Sequence, residues 1–220
     1  MGMYTVKEEQ YDADYFLRGR ATGKSLYENY SWKPDLTIPM CQAIVEHCGI
    51  DKDLDVLDFG CARGYTVRAL RELGYRAYGV DVSEWAIANC DPAVKEFVCL
   101  GGGIPTIVTG WGSCDWIVAK DVLEHVENVA ETIDVLMMYA KRGVFAVVPL
   151  GVLTEDRYVV TSYEEDVTHV HRLTLASWVD LFARPGWKVE CSYRVRGVKD
   201  NYYRPGWERG NGFLTARRSE

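Results

Sequence analysis

Residues 54–64 read Leu-Asp-Val-Leu-Asp-Phe-Gly-Cys-Ala-Arg-Gly, and this stretch decides the fold. Leu54 to Phe59 carries the signal of a short buried strand, and Gly60-Cys61-Ala62-Arg63-Gly64 closes it with a glycine-rich turn. Tyr65 to Leu73 then has helical periodicity and stops at Gly74. Strand, glycine turn and helix in that order open a βαβ unit.

The pattern repeats downstream. Arg76–Asp81 is a second strand, and Ser83 is placed to cap a short helix containing Trp85 and Ile87. Glu96–Leu100 reads as a third strand with a Gly101-Gly102-Gly103 turn after it, and Cys114–Lys120 as a fourth. A helix over Val126–Tyr139 leads to a fifth strand over Gly143–Val148. These strands are continuous apolar runs rather than alternating ones, so they are buried on both faces, as in a parallel sheet covered by helices. After Pro149 a polar stretch runs to about Arg172. A helix near Thr174–Ala183, a strand over Trp187–Tyr193 and a final strand over Gly212–Arg217 follow, the last two expected to be antiparallel. Upstream, the first thirty-odd residues read as short helical pieces and a loop ending at Pro34, and a helix over Leu36–His47 stops at Gly49. The expected fold is α/β: a Rossmann-like three-layer sandwich around a mostly parallel seven-stranded sheet with antiparallel late strands.

Composition agrees with one large domain. The chain has 220 residues, 48% hydrophobic and 26% charged, which excludes disordered, collagenous and coiled-coil classes. No apolar run reaches the roughly 18 residues that span a bilayer, and the acidic N-terminus does not resemble a signal peptide. A cytoplasmic protein without membrane contact is expected. The seven cysteines are scattered and lack a C-x-x-C pair, which argues against a disulfide framework or a zinc site. A net charge of −7 disfavours nucleic acid as a general partner, although seven Lys/Arg face three Asp/Glu from Arg194 onward.

In open parallel sheets the ligand lies beyond the carboxyl ends of the strands, where strand order reverses. That places Asp58, Gly60 and Gly64 at the end of the first strand, and Asp81 at the end of the second. Glycines allow the backbone close to a ligand, and a carboxylate such as Asp81 can accept both hydroxyls of a ribose. An adenosine-containing ligand follows. The spacing is G-x-x-x-G rather than the dinucleotide G-x-G-x-x-G. An acidic residue before the glycines repels a pyrophosphate and suits an ammonium, so S-adenosylmethionine is favoured over NAD, and an NAD-binding oxidoreductase is the less favoured alternative.

These segments resemble the class I S-adenosylmethionine-dependent methyltransferases. VLDFGCARG is similar to the family's first motif, D/E-x-G-x-G-x-G, with Ala62 at the middle glycine; YGVDVS is similar to the second. CDWIVAKDVLEHVEN resembles the fourth-strand segment, and DVTHVHRLTLASWVDLFARPGWKVE the segment after the core in many small-molecule methyltransferases. The resemblance spans roughly residues 38–195. It implies that Asp58 and Gly60 contact the methionine end of the cofactor, that Cys61, Ala62 and Gly64 of the same turn also bind the cofactor, and that Asp81 holds the ribose. It places Val82 and Trp85 beside the adenosine, Leu100 and Gly101 at the adenine, and Lys120, Asp121 and Val122 near the sulfonium. The expected acceptor is an oxygen or nitrogen atom of a small molecule.

Methyl transfer from a sulfonium needs alignment and exclusion of water above all, and a base only where the acceptor must lose a proton. Of the four histidines, His125, His169 and His171 are the catalytic candidates, while His47 reads as structural. Asp121, Glu124 and His125, with a later histidine, also resemble the metal-dependent small-RNA 2′-O-methyltransferases. The L-E-H-V form is widespread in metal-free relatives, so no metal is expected, and metal-assisted RNA methylation is the alternative. The basic, aromatic tail (Arg194, Arg196, Lys199, Tyr202, Tyr203, Arg204, Trp207, Arg209) could hold nucleic acid or be a solvated connection. Residues 1–35, with Arg20, Tyr27, Tyr30 and Trp32, are expected to form a lid over the cofactor that contributes Tyr30, and residues 36–220 the methyltransferase domain.

Overall fold

The computed structural model describes residues 8–101, 113–200, 206 and 208–219. Strand β1 (Asp55–Phe59) is central, parallel to β2 (Arg76–Asp81) on one side and to β4 (Cys114–Lys120) on the other. With β3 (Val98–Leu100), β5 (Ala140–Pro149), β8 (Trp187–Ser192) and β9 (Asn211–Arg218), they form a seven-stranded sheet of order β3-β2-β1-β4-β5-β9-β8. Only β9 runs antiparallel to its neighbours. Strand order reverses between β1 and β4, which opens a crevice at their carboxyl ends.

Neighbouring residues of β1 show why the sheet is covered twice. Val56 packs into a core with Cys41, Ile44 and Val45 of α3 (Pro34–Cys48) and Val67 and Leu70 of α4 (Tyr65–Glu72). Leu57, on the opposite face, joins Ile133 and Leu136 of α6 (Val129–Tyr139) and Trp178 and Phe182 of α7 (Leu175–Phe182). Successive strand side chains alternate faces, so two adjacent buried residues require two helical layers.

The N-terminal segment folds into α1 (Ala13–Leu17) and α2 (Gly19–Thr22), and α5 (Glu84–Ala88) follows β2. Ser83 caps α5 by accepting from the Ala86 amide at 2.9 Å, as its position predicts. The third strand begins at Val98 rather than Glu96, because Asp91 caps a 3-10 helix over Pro92–Phe97 that uses those residues. The polar stretch after Pro149 contains a short hairpin of β6 (Gly151–Val152) and β7 (Arg157–Tyr158), which has too few residues to show alternation. The Gly102 and Gly103 positions, and Tyr202, Tyr203, Arg204 and Trp207, lie outside the described residues.

Several tail cations serve the fold. Arg217 donates to the Cys48 and His47 carbonyls at the end of α3, and Arg218 to Met137 and Ala140 at the end of α6. Cations at the carbonyl end of a helix stabilise its dipole. His47 meets the Thr215 hydroxyl at 3.0 Å, consistent with a structural role.

Candidate functional site

The turn after β1 is tied to the end of β2. The Gly60 and Cys61 amides both donate to the Val80 carbonyl, at 2.9 and 3.0 Å. Gly60 has φ +80°, and a Cβ there would stand 2.4 Å from Val122 Cγ2, so no other residue fits without displacing that side chain. Ala62 also lies in the left-handed region, at φ 48°, where a Cβ costs about 1 kcal/mol. That strain explains why glycine is the motif's usual residue there.

Asp81 ends β2 with both carboxylate oxygens anchored. Oδ2 accepts from the Ala62 amide at 2.7 Å and Oδ1 from the Ser83 amide at 2.8 Å. Burial pushes its carboxyl above the usual range, and these amides oppose that shift. Each oxygen keeps acceptor capacity for a ligand hydroxyl. Asp58 is buried, and its Oδ2 has no hydrogen-bond partner among the described residues. Burial pushes the Asp58 carboxyl up to about 7, against the pull of the Lys120 ammonium. A buried acceptor left unmatched is costly unless a ligand supplies a donor.

Beyond β4, Asp121 adopts φ 54° and sits between two ammonium groups, Lys120 Nζ and Lys199 Nζ, each at 2.7 Å. Burial works against its charge, but the two lysines hold the carboxyl well below the usual range. Lys199 thus comes from the basic tail into the site, where it also donates to Asn211 Oδ1 at 3.0 Å.

A cleft of about 710 Å³, including its open mouth, lies over these strand ends. Of the residues singled out in the sequence, Gly60, Ala62, Asp81, Val82, Gly101, Asp121, Val122 and His125 line it. Cys61, buried, and Gly64, which caps α4 at φ 79°, belong to the same turn but do not line the cleft. Leu100 is exposed, and Trp85 lies behind the wall, stacked on Phe16 at 5.5 Å. Tyr30 packs on Tyr27 at 4.8 Å rather than lining the cleft.

The other wall is the N-terminal segment: Tyr11, Tyr15, Phe16 and Tyr27 line the cleft. Tyr11, Tyr15 and Phe16 gave no sequence signal, since Tyr11 precedes α1 and the three share no single helical face. The Tyr11 carbonyl anchors the segment by accepting from the Ser83 hydroxyl at 2.5 Å.

The histidines divide. The His125 ring lines the cleft, with Nδ1 2.8 Å from the Thr168 hydroxyl. Burial lowers its pKa below the usual histidine range. The His169 ring lies 4.6 Å from that of His125, its Nδ1 buried without a partner among the described residues, and burial lowers its pKa to about 4. His171 Nε2 meets the Val126 carbonyl at 2.8 Å, outside the cleft lining. Glu124 is buried, its Oε2 unpartnered among the described residues, and is pushed up to about 8, by burial first and then by the Asp121 charge. Glu124, His125 and His169 each bring a donor atom within 4.8 Å of the others.

Among the described residues, no helix is long and apolar enough to cross a membrane. A family model described as a methyltransferase domain matches residues 38–192. Comparison with curated protein sequences finds no match. Solved structures of similar fold include an S-adenosylmethionine-dependent methyltransferase from Archaeoglobus fulgidus (16% identity, TM-score 0.63, 84% of this chain and 95% of that one). Another is the plantazolicin methyltransferase in complex with S-adenosylhomocysteine (14%, 0.59, 85% and 84%). A third is the magnesium protoporphyrin IX methyltransferase of Synechocystis PCC 6803 with bound S-adenosylmethionine (19%, 0.55, 83% and 79%). At these identities the likeness is one of fold.

The residues present are compatible with that cofactor: Asp81 lines the cleft with an anchored carboxylate, and Asp58, buried and outside the cleft lining, keeps one oxygen without a partner among the described residues. From the match over residues 38–192 and this fold, the chain belongs to the methyltransferase-domain family and is a class I S-adenosylmethionine-dependent methyltransferase.

Proposed function

We propose that the protein methylates an oxygen or nitrogen atom of a small molecule in the cytoplasm, with His125 taking the acceptor's proton. The carrying observation is that Asp58 and Asp81 lie near the carboxyl ends of adjacent parallel strands, and that Asp81 and His125 line the same cleft. When bound, S-adenosylmethionine supplies an electrophilic methyl group on a sulfonium. Asp58 would hold its ammonium and Asp81 its ribose hydroxyls, while the Gly60–Gly64 turn lets the backbone approach. The aromatic N-terminal segment would act as the lid, excluding water from the reacting groups. A neutral imidazole is the form able to accept a proton, and burial favours that form of His125. Small-molecule acceptors of the plantazolicin and protoporphyrin enzymes, which share the fold, support the acceptor class. Seven free cysteines suit a reducing compartment.

Calorimetry with S-adenosylmethionine tests the cofactor contacts. Asp81→Ala removes the acceptor of two backbone amides as well as the ribose contact, and should weaken binding by roughly 1.5–3 kcal/mol. Undiminished affinity in the variant would remove Asp81 from the site. Titration with Mn²⁺ separates this reading from metal-assisted RNA methylation: no heat is expected, and stoichiometric binding lost in Glu124→Gln would overturn it.

A further inference from the structure

A line of buried hydrogen bonds connects the N-terminal segment to His125. The Tyr15 hydroxyl donates to Asp166 Oδ2 at 3.0 Å, across 151 residues of sequence. Asp166 Oδ1 accepts both the amide of Thr168, at 3.0 Å, and its hydroxyl, at 2.5 Å. The Thr168 hydroxyl in turn lies 2.8 Å from His125 Nδ1. Tyr15, Asp166 and Thr168 are 4%, 6% and 4% exposed, so water does not compete for these groups.

Counting protons sets the direction of every bond. A threonine hydroxyl has one hydrogen, and Thr168 gives it to Asp166, whose carboxylate only accepts. Toward His125, the Thr168 oxygen therefore presents a lone pair, and Nδ1 must carry the hydrogen. A neutral imidazole has one N–H, so the remaining nitrogen, Nε2, is a bare lone pair on a ring that lines the cleft.

We propose that Tyr15, Asp166 and Thr168 are positioning residues that hold His125 in its Nδ1–H tautomer, so that the N-terminal segment completes the orientation of the base it covers. In turnover the acceptor's O–H or N–H proton passes to Nε2, and the imidazolium formed keeps its Nδ1–H on Thr168. The catalytic use of this arrangement rests on the reading of His125 as the base; the tautomer itself does not.

The test is two-bond ¹H–¹⁵N correlation of the imidazole rings in the labelled full chain near pH 7.5, with His125 assigned from the spectrum of His125→Gln. The wild-type protein should carry its proton on Nδ1. Thr168→Val should move it to Nε2 and Thr168→Ser should restore it, a pattern that a general packing role for the hydroxyl does not produce. Tyr15→Phe should speed exchange of the Nδ1 proton with water about tenfold or more, the scale of one hydrogen bond to a charged group. A wild-type proton on Nε2 overturns the proposal whether or not Thr168→Val folds, and so does an unchanged tautomer in folded Thr168→Val. Unchanged exchange in Tyr15→Phe removes the N-terminal segment from the relay. Adding S-adenosylmethionine to the same sample separates the two ideas: binding with an Nε2 proton fails the relay alone, and an Nδ1 proton without binding fails the proposed function alone.

Discussion

Asp58→Asn replaces a carboxylate that the fold buries with one oxygen unmatched, and its consequences follow from linkage. The Asp58 carboxyl moves from an ordinary 3.8 to about 7 in the folded chain. Between those values the folded protein keeps a proton that the unfolded chain has lost. Its contribution to stability is therefore full below pH 4 and is lost as pH rises to 7. Above pH 7 the charged group costs roughly 4 kcal/mol relative to an unperturbed carboxylate. Asparagine is neutral throughout and lacks this slope. Measured by urea unfolding, the stability of Asp58→Asn relative to wild type should improve by roughly 2–3 kcal/mol between pH 5 and pH 8. Cofactor binding should move oppositely. An ammonium beside Asp58 favours the ionised carboxylate, so wild-type affinity should rise about tenfold per pH unit up to pH 7 and then level, while the variant binds weakly without that slope. Parallel stability curves at pH 5 and pH 8, or unchanged affinity in the variant, would refute the assignment of a strained carboxylate awaiting a cation.

Two further variants probe the turn and the lid. Ala62→Gly relieves a left-handed φ of 48° at the cost of extra freedom in the unfolded chain, so stability should stay equal or rise by up to about 1 kcal/mol in urea unfolding. A loss of more than 1 kcal/mol would show that the alanine methyl has a packing role. Phe16→Ala removes the ring stacked between Trp85 and Tyr27. It should cost about 3 kcal/mol of stability, and at a temperature where the variant is folded it should weaken S-adenosylmethionine binding; retained affinity would detach the N-terminal segment from the cofactor.

The fourth strand shows what a linear reading captures well. Cys114–Lys120 is an apolar run buried on both faces, and its bounds in the structure match those expected from sequence. The first two strands and the turn between β1 and α4 were legible for the same reason, since burial and glycine conformations are encoded within a few neighbouring residues. The third strand was misjudged by two residues because a proline-initiated 3-10 helix competes for Glu96 and Phe97. Asp166 and Thr168 gave no signal, since their roles depend on Tyr15 and His125, far away in the chain.

By itself, then, the order of residues determined the layers, the sheet and the two aspartates at its functional edge, because periodicity and turn chemistry are local properties of the chain. Only the tertiary structure decided that Lys199 leaves the basic tail to join Lys120 on Asp121, that tyrosines from residues 11–27 wall the cleft, and which histidine faces it. Those outcomes depend on which distant groups share a space from which water is excluded, and that is settled when the whole chain packs.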